Sequence, residues 1–430
     1  MKYQSVRTAA KSMFRVGLFS IDQALSSLSN LAASIAAAHI LSAGDFGAFG
    51  IVFATYLLVV LSARAVTGEV LLLADAGRAN ANGAINLVVA AVVGLGAGMI
   101  LLGVAALLRG PVGVGLVPLA VGMVGLTVQD TIRYIGFATR RIELALVTDA
   151  LWLAFIVLGF FFVSDSRSSL GEVTTIWVGS GVAAAFCTLP LLRTARPRWS
   201  AIAAWLCEQK NAMRNLLFDR GLVSVSQQSI IYVVALFIGL EGNAAYRGAQ
   251  IVMAPINVLS VGLVTAVVPY LVRVWGRRPA TLKKEAIRIA AISGFGLLGL
   301  TQLVANMPDW LGRAILAESW TYGQPVLHVM AMIIPLQAVN FTAANAMRAM
   351  GRTGAALAVR FVSVPMTLLA VVAAAYWGDI GAVIWAQVGT TAAAMLLWWS
   401  AFSRTYRHDC PPSANKADAA EQPELNADLS

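Results

Sequence analysis

The chain has 430 residues, of which 59% are hydrophobic and only 12% charged, with a formal net charge of +10. Soluble domains carry about a quarter charged residues, so this composition excludes a water-facing globule and points to an integral membrane protein. The Lys and Arg excess gathers at the ends of apolar stretches, which excludes a nucleic-acid surface as its reason.

In chain order, stretches long enough to cross a hydrocarbon core occur at about 14–41, 47–74, 84–108, 114–138, 143–163, 174–192, 215–240, 246–271, 286–307, 325–347, 355–376 and 380–402. The expected fold is all-α and integral to the membrane, with about twelve transmembrane helices in two six-helix repeats around a central cavity. The expected divisions are an N-terminal lobe over 1–192, an amphipathic cytoplasmic linker over 193–214, a C-terminal lobe over 215–403 and a disordered cytoplasmic tail over 404–430. The basic start (Lys2, Arg7, Lys11, Arg15) runs into a segment too long and polar for a cleavable signal core, so it reads as the first span. The linker, with Trp199, Ile202, Trp205 and Leu206 among its basic residues, reads either as a helix lying on the membrane surface or as a plain connection between halves.

Of 31 Lys and Arg, four (Arg109, Arg167, Arg247, Arg313) are expected on one side of the membrane and four (Arg64, Arg133, Arg220, Arg360) within spans. The rest fall on the other side, which the positive-inside rule makes cytoplasmic, together with both termini. On this reading the protein lies in the cell (inner) membrane, and Arg247 and Arg313 are ordinary loop charges.

The halves resemble each other at an offset of 197 residues. Asp22 matches Asp219, Gln23 matches Arg220, Ser27 matches Ser224, Ser29 matches Ser226, Asn30 matches Gln227, and Ala48–Phe49 matches Ala245–Tyr246. Six-helix halves that both start from one side imply parallel repeats, and transporters of that design bind their substrate between the repeats.

Ionisable residues within spans are costly and mark pathways or pairs. Gln23, Ser27, Asn30 and Ser34 form a polar arc on span 1, repeated on span 7 by Arg220, Ser224, Gln227 and Gln228. The arcs either line a cavity or bond neighbouring helices. In span 2, Arg64 and Glu69 are five residues apart and point to different neighbours. Arg64 is the leading candidate for an anionic substrate, against a buried ion pair. In span 4, Asp130 and Arg133 are three apart and either pair within the helix or face the cavity. Asp149 lies in span 5, and Arg360 in span 11 lies near enough to the inner surface to snorkel. The candidate substrate-binding residues are therefore Arg64, Arg133, Arg220, Arg360, Gln23, Ser27, Asn30, Ser224 and Gln227, with Asp22, Glu69, Asp130 and Asp149 as candidates for ion coupling. These charges lie toward the cytoplasmic half, as a vestibule open to the cytoplasm requires.

The scattered Cys187, Cys207 and Cys410 and the dispersed His39, His328 and His408 support neither a disulfide framework nor a zinc site. No cofactor is expected. Catalytic motifs of the DxD, HExxH, GxSxG or P-loop kind do not stand out. A membrane glycosyltransferase or polymerase should carry catalytic acids in a sizeable outer loop, and the longest outer segment, 308–324, has only Asp309 and Glu318.

Three stretches carry a resemblance to a known family: DQALSSLSNLAASIAAAHILSAGDFGAFG from Asp22 to Gly50, with its Gly-Phe-Gly turn, ARAVTGEVLLL from Ala63 to Leu73, and QDTIRYIGFATRRIELALVTDALW from Gln129 to Trp152. With AESW at Ala317–Trp320 they resemble the polysaccharide flippases of the multidrug/oligosaccharidyl-lipid/polysaccharide exporter superfamily. The resemblance implies flipping of a polyprenyl-diphosphate-linked saccharide of an exopolysaccharide or O-antigen type to the outer leaflet, by alternating access drawing on a proton or sodium gradient. The implied partners are that lipid-linked saccharide, membrane lipid and a polysaccharide polymerase or assembly complex. A diphosphate suits the guanidinium groups of Arg64, Arg133, Arg220 and Arg360. A cation-coupled multidrug exporter of the same superfamily is the alternative.

Overall fold

The computed structural model describes Asp22 and residues 24–163, 168–192 and 199–409, apart from the side chains of residues 199, 200, 219 and 264–266. The expected contact at Gln23, the basic start and most of the expected tail lie outside these residues. Among the described residues every regular element is helical: α1 (Ala24–Ile40), α2 (Ala43–Val66), α3 (Gly68–Leu71), α4 (Ala76–Leu107), α5 (Pro111–Ala138), α6 (Ile142–Phe162), α7 (Leu170–Thr188), α8 (Trp199–Phe237), α9 (Leu240–Arg277), α10 (Leu282–Ala305), α11 (Asp309–Leu316), α12 (Trp320–Met330), α13 (Ile333–Ala349), α14 (Thr353–Trp377) and α15 (Ile380–Asp409). Ten of the helical segments are long and apolar enough to cross a membrane, and α12 with α13 makes an eleventh bent by 41°. The shorter α1 stands in the place of the first expected span.

Local chemistry sets where these helices begin and break. Ser42 caps α2 by accepting from the Asp45 backbone N–H, so the helix opens at Ala43, ahead of the expected edge at 47. Asp75 caps α4 in the same way. Its bond from the Arg78 N–H holds the carboxyl below the ordinary aspartate range, so this cap is kept above that range and lost as pH falls. A full capping box, Ser169 with Glu172, starts α7. Thr67 joins α2 to α3 with its N–H still bonded to the Ala63 carbonyl, so the two run together as one span, Ala43–Leu71. The α12–α13 bend falls at Ala331–Met332. Pro335 supplies no N–H to the Ala331 carbonyl, and the next bond, Leu336 N to Met332 O, stretches to 3.5 Å.

The chain forms two compact units. The first takes the chain up to Ile251 with Arg313–Tyr322, the second Val252–Gly312 with the chain from Gly323 onward. In the first unit α4 and α5 meet through small residues. Ala90, Gly94 and Gly98 lie at four-residue spacing on α4, and Thr127 of α5 donates to the Ala90 carbonyl at 2.9 Å. A Cβ on Gly94 would collide with Thr127 and the Val124 backbone, and one on Gly98 with the Ala120 carbonyl. Lipid tails are as apolar as leucine, so close backbone approach and hydrogen bonds hold such helices together. Residues 201–214, expected as linker, are helical and continue without a break into the expected seventh span. Trp205 and Met213 pack against Val70, Ile85 and Val89 of α3 and α4, so this segment's apolar side is covered by protein.

Asn243 near the start of α9 donates to the Gly47 carbonyl at 2.7 Å, where a Cβ on Gly47 would strike the Leu240 carbonyl. Beside this contact lies an aromatic cluster of Phe49, Phe53, Tyr56, Trp152 and Trp177.

Gly98→Ala should destabilise the protein by roughly 1–3 kcal/mol through overpacking. Gly96→Ala, where a Cβ meets open space, should be neutral. Thermal melting of the two purified variants in detergent checks the contrast, and equal melting temperatures would refute the packing argument.

Candidate functional site

The first unit brings together five ionisable side chains that are far apart in sequence. Arg133 on α5 is enclosed, its side chain 4% exposed. It lies 2.8 Å from Asp22, 3.3 Å from Asp130 one turn away, and 3.0 Å from Asp149 on α6. Arg64, in the last turn of α2, holds Asp130 through two bonds, Nε to Oδ2 at 3.0 Å and Nη2 to Oδ1 at 2.7 Å. Its guanidinium also lies over the Tyr134 ring at 5.3 Å. Gln129 donates to Asp149 at 3.1 Å. The i,i+3 pairing of Asp130 with Arg133 is thus one edge of a larger network in which both residues have further partners.

The formal charges do not balance. Among the described residues Asp22, Asp130 and Asp149 supply three carboxylates against the two guanidinium groups of Arg64 and Arg133, leaving one negative charge. Oδ1 of Asp22 is buried without a hydrogen-bond partner among the described residues, whereas Oδ2 of Asp149 faces Arg133 Nε at 3.0 Å. Excess negative charge beside an orphaned acceptor is a chemistry that takes up one proton or one monovalent cation. Glu69 and Arg220 stand apart from this network as a pair at 3.0 Å between α3 and α8, with Glu69 largely covered and Arg220 more than half exposed.

A second, opposite arrangement surrounds Arg247, which the sequence reading put at a loop. It lies inside α9, with its guanidinium over the Phe53 ring at 4.1 Å. Nη2 donates to Ser34 Oγ at 3.0 Å and Nη1 to Gln250 at 3.3 Å, while Nε is buried with no partner among the described residues. Among the described residues no carboxylate pairs with it. The polar arc of α1 therefore ends on a cation: Ser34 bonds Arg247 and the Asn30 carbonyl, and Asn30 Oδ1 is itself buried and unpartnered. The signal that could have found this site is the polar stripe Asn243, Arg247, Gln250, at spacings of four and three, on one face of a helix whose neighbours are alanine and glycine.

The remaining candidates divide. Ser27 is half-buried on α1. Ser224 on α8 is buried with its hydroxyl unpartnered among the described residues, and Gln227 is exposed. Arg360 is half-buried on α14 and belongs to the second unit. Arg64 and Arg133 are held by the chain's own carboxylates, whereas Arg247 keeps a donor free.

Comparison with known proteins gives the fold and no more. No family model matches the chain, and no curated protein sequence does. Among solved structures, it is similar to an inward-facing multidrug resistance MATE family transporter of the MOP superfamily, at 13% identity and a TM-score of 0.73, over 89% of this chain and 95% of that one. It is similar to the lipid II flippase MurJ in an inward closed conformation, at 12% identity and a TM-score of 0.67, over 90% and 87%. A MOP superfamily transporter from Pyrococcus furiosus, whose structure is described as having reversed polarity in its binding pocket, matches at 14% identity and a TM-score of 0.56, over 90% and 95%. The chain has the all-helical membrane fold of these transporters.

Proposed function

We propose that this protein is a flippase that moves a polyprenyl-diphosphate-linked oligosaccharide, of the exopolysaccharide or O-antigen repeat-unit kind, from the cytoplasmic to the outer leaflet by alternating access. The observation that carries the reading is Arg247. Among the described residues no carboxylate pairs with this guanidinium; an unanswered buried charge is expensive in a membrane protein, and an anionic cargo group would supply the missing partner during each cycle. A phosphate offers acceptors that match the free Nε and the adjoining Nη donors. Ser27, Asn30, Ser224 and Gln227 supply hydrogen-bonding groups for sugar hydroxyls on α1 and α8. Arg220, exposed and held by one carboxylate, is the next cation available to the cargo. The lobes, the cytoplasmic termini and the inner-membrane location expected above belong to the same reading, as does a polysaccharide polymerase or assembly complex as partner.

The acid network supplies the coupling. Its excess negative charge sits behind Arg133, so one proton or sodium ion entering at Asp22 or Asp149 restores balance and weakens the hold of Asp149 on Arg133. Cargo sensed at Arg247 and a cation sensed at the network would then bias the same unit. Glu69, tied to Arg220 and apart from the network, is a second acid that a coupling ion could neutralise. A drug exporter is the second reading, favoured by the same negative excess, because a cationic drug would balance it directly.

Cells that depend on the protein for surface polysaccharide should lose export at least tenfold with Arg247→Gln and recover part of it with Arg247→Lys, with the variants made at normal levels. Normal polymer export by Arg247→Gln would sink the anionic-cargo reading. A deletion strain sensitised to cationic drugs, with polysaccharide intact, would install the exporter in its place.

Charge parity makes a separate prediction. Arg133→Ala leaves three buried carboxylates against one cation and should cost about 3–5 kcal/mol. Adding Asp149→Asn should return part of that loss, and thermal melting of the single and double variants reads the difference. Asp149→Asn alone should fold, yet its transport should no longer respond to an imposed proton or sodium gradient across proteoliposomes. An undiminished response would remove Asp149 from coupling.

A further inference from the structure

The second unit holds a recess of about 490 Å³, of a size that takes small ligands, between α10, α13 and α15. Its walls are apolar throughout: Ala290, Ala291 and Gly294 of α10, Pro335 and Val339 of α13, and Trp399 of α15 are among them. Two features shape it. Three small residues hollow the face of α10, and the α12–α13 break, with Pro335 just beyond it, offsets the facing wall. All three helices are spanning segments, so the recess opens where hydrocarbon is the solvent.

The same three helices end in a cluster of cations. On α10 the lining face continues one turn back from Ile287, an edge residue of the recess, to Lys283 and Lys284, three and four residues away. On α15 the row through Trp399 continues to Ser403 and Arg407, and Arg404 lies beside it. These ends adjoin. Leu282 and Ala286 of α10, Met347 and Met350 around the end of α13, and Phe402 and Tyr406 of α15 form one buried cluster. The Tyr406 hydroxyl donates to the Ala280 carbonyl at 2.7 Å. Arg352 is taken by Asp409, whereas Lys283, Lys284, Arg404 and Arg407 have no ion-pair partner among the described residues.

An apolar slot for one chain, one helical turn from unpaired cations, fits a lipid with a single hydrocarbon tail and a phosphorylated head. We propose that this is a docking site for the polyprenyl phosphate end of the cargo, with the isoprenoid tail in the recess and the phosphate oxygens on Lys283, Lys284 and Arg407. The assignment rests on the flippase reading above and is a docking step ahead of the one at Arg247, in which the lipid is first held by its tail and phosphate. A two-chain phospholipid meets the cations as well but leaves its second chain outside the slot.

The test uses the full-length protein in nanodiscs, with a long-chain polyprenyl phosphate as probe and native mass spectrometry as readout. Ala291→Phe fills the slot from a face that makes no buried packing contact, and the triple variant Lys283→Gln, Lys284→Gln, Arg407→Gln removes the head contacts at exposed or half-buried positions. Each should weaken binding tenfold or more with an unchanged melting temperature, and neutral polyprenol should bind the unaltered protein at least tenfold more weakly than the phosphate. Phosphatidylglycerol in tenfold excess should leave the probe bound. Displacement by phosphatidylglycerol at equal concentration, or unchanged binding in both variants, overturns the proposal. The two readings fail separately: normal export by Arg247→Gln strikes the cargo assignment, whereas probe binding indifferent to Ala291→Phe strikes only the slot.

Discussion

Placing an arginine in a bilayer costs at least about 2.5–3.5 kcal/mol unless the protein answers its charge, and the way Arg133 is answered organises the first unit. Its guanidinium meets carboxylates from three separate helical segments, Asp22 ahead of α1, Asp130 on α5 and Asp149 on α6, and Asp130 in turn anchors Arg64 of α2. Apolar packing alone would let these helices slide, since their surfaces are chemically alike and lipid competes with them on equal terms. Charge pairing does not permit that. A shift of one turn in any of the four would strand a carboxylate or a guanidinium in a medium that penalises it. The close α4–α5 approach at Gly94 and Gly98 serves the same end by fixing the helix that carries both Asp130 and Arg133.

The network carries more carboxylate than guanidinium: among the described residues three aspartates meet two arginines, and Oδ1 of Asp22 is buried with no hydrogen-bond partner there. Arg247 is the converse case, a cation whose polar partners among the described residues are neutral, Ser34 and Gln250, above the face of Phe53. Phe53 in turn stacks on Trp177, and Tyr56 on the same helix lies against both Trp152 and Trp177, so Arg247 rests on a packed aromatic core.

Hydrophobic length was enough to locate the helices, because a stretch of apolar residues in this composition has one use. Helix starts were less visible: the Ser42 cap opens α2 at Ala43, ahead of the expected edge at 47. The network was half legible. The spacing of Asp130 and Arg133 announced a pair, but that Arg64 shares Asp130, and that Asp22 and Asp149 close on Arg133, are contacts between distant parts of the chain that no local spacing encodes. Arg247 was misplaced for a different reason. A charge at the second residue of an expected span, 246–271, has the pattern of a loop residue, and only its alignment with Asn243 and Gln250 shows that it faces inward.

Fold likeness at 12–14% identity reflects packing shared across the superfamily, whereas cargo choice depends on the few charges that packing leaves in the membrane. Counting arginines in spans does not decide that choice. Arg64 and Arg133, the most prominent by depth, are spent on the chain's own aspartates, and an anion approaching either would have to displace a bonded carboxylate. Arg247, the buried cation with no carboxylate partner among the described residues, is the one whose sequence position looked least interesting. The pairing state of each charge separates the Arg64 and Arg133 network, the pair at Glu69 and Arg220, and Arg247, which is held by neutral partners.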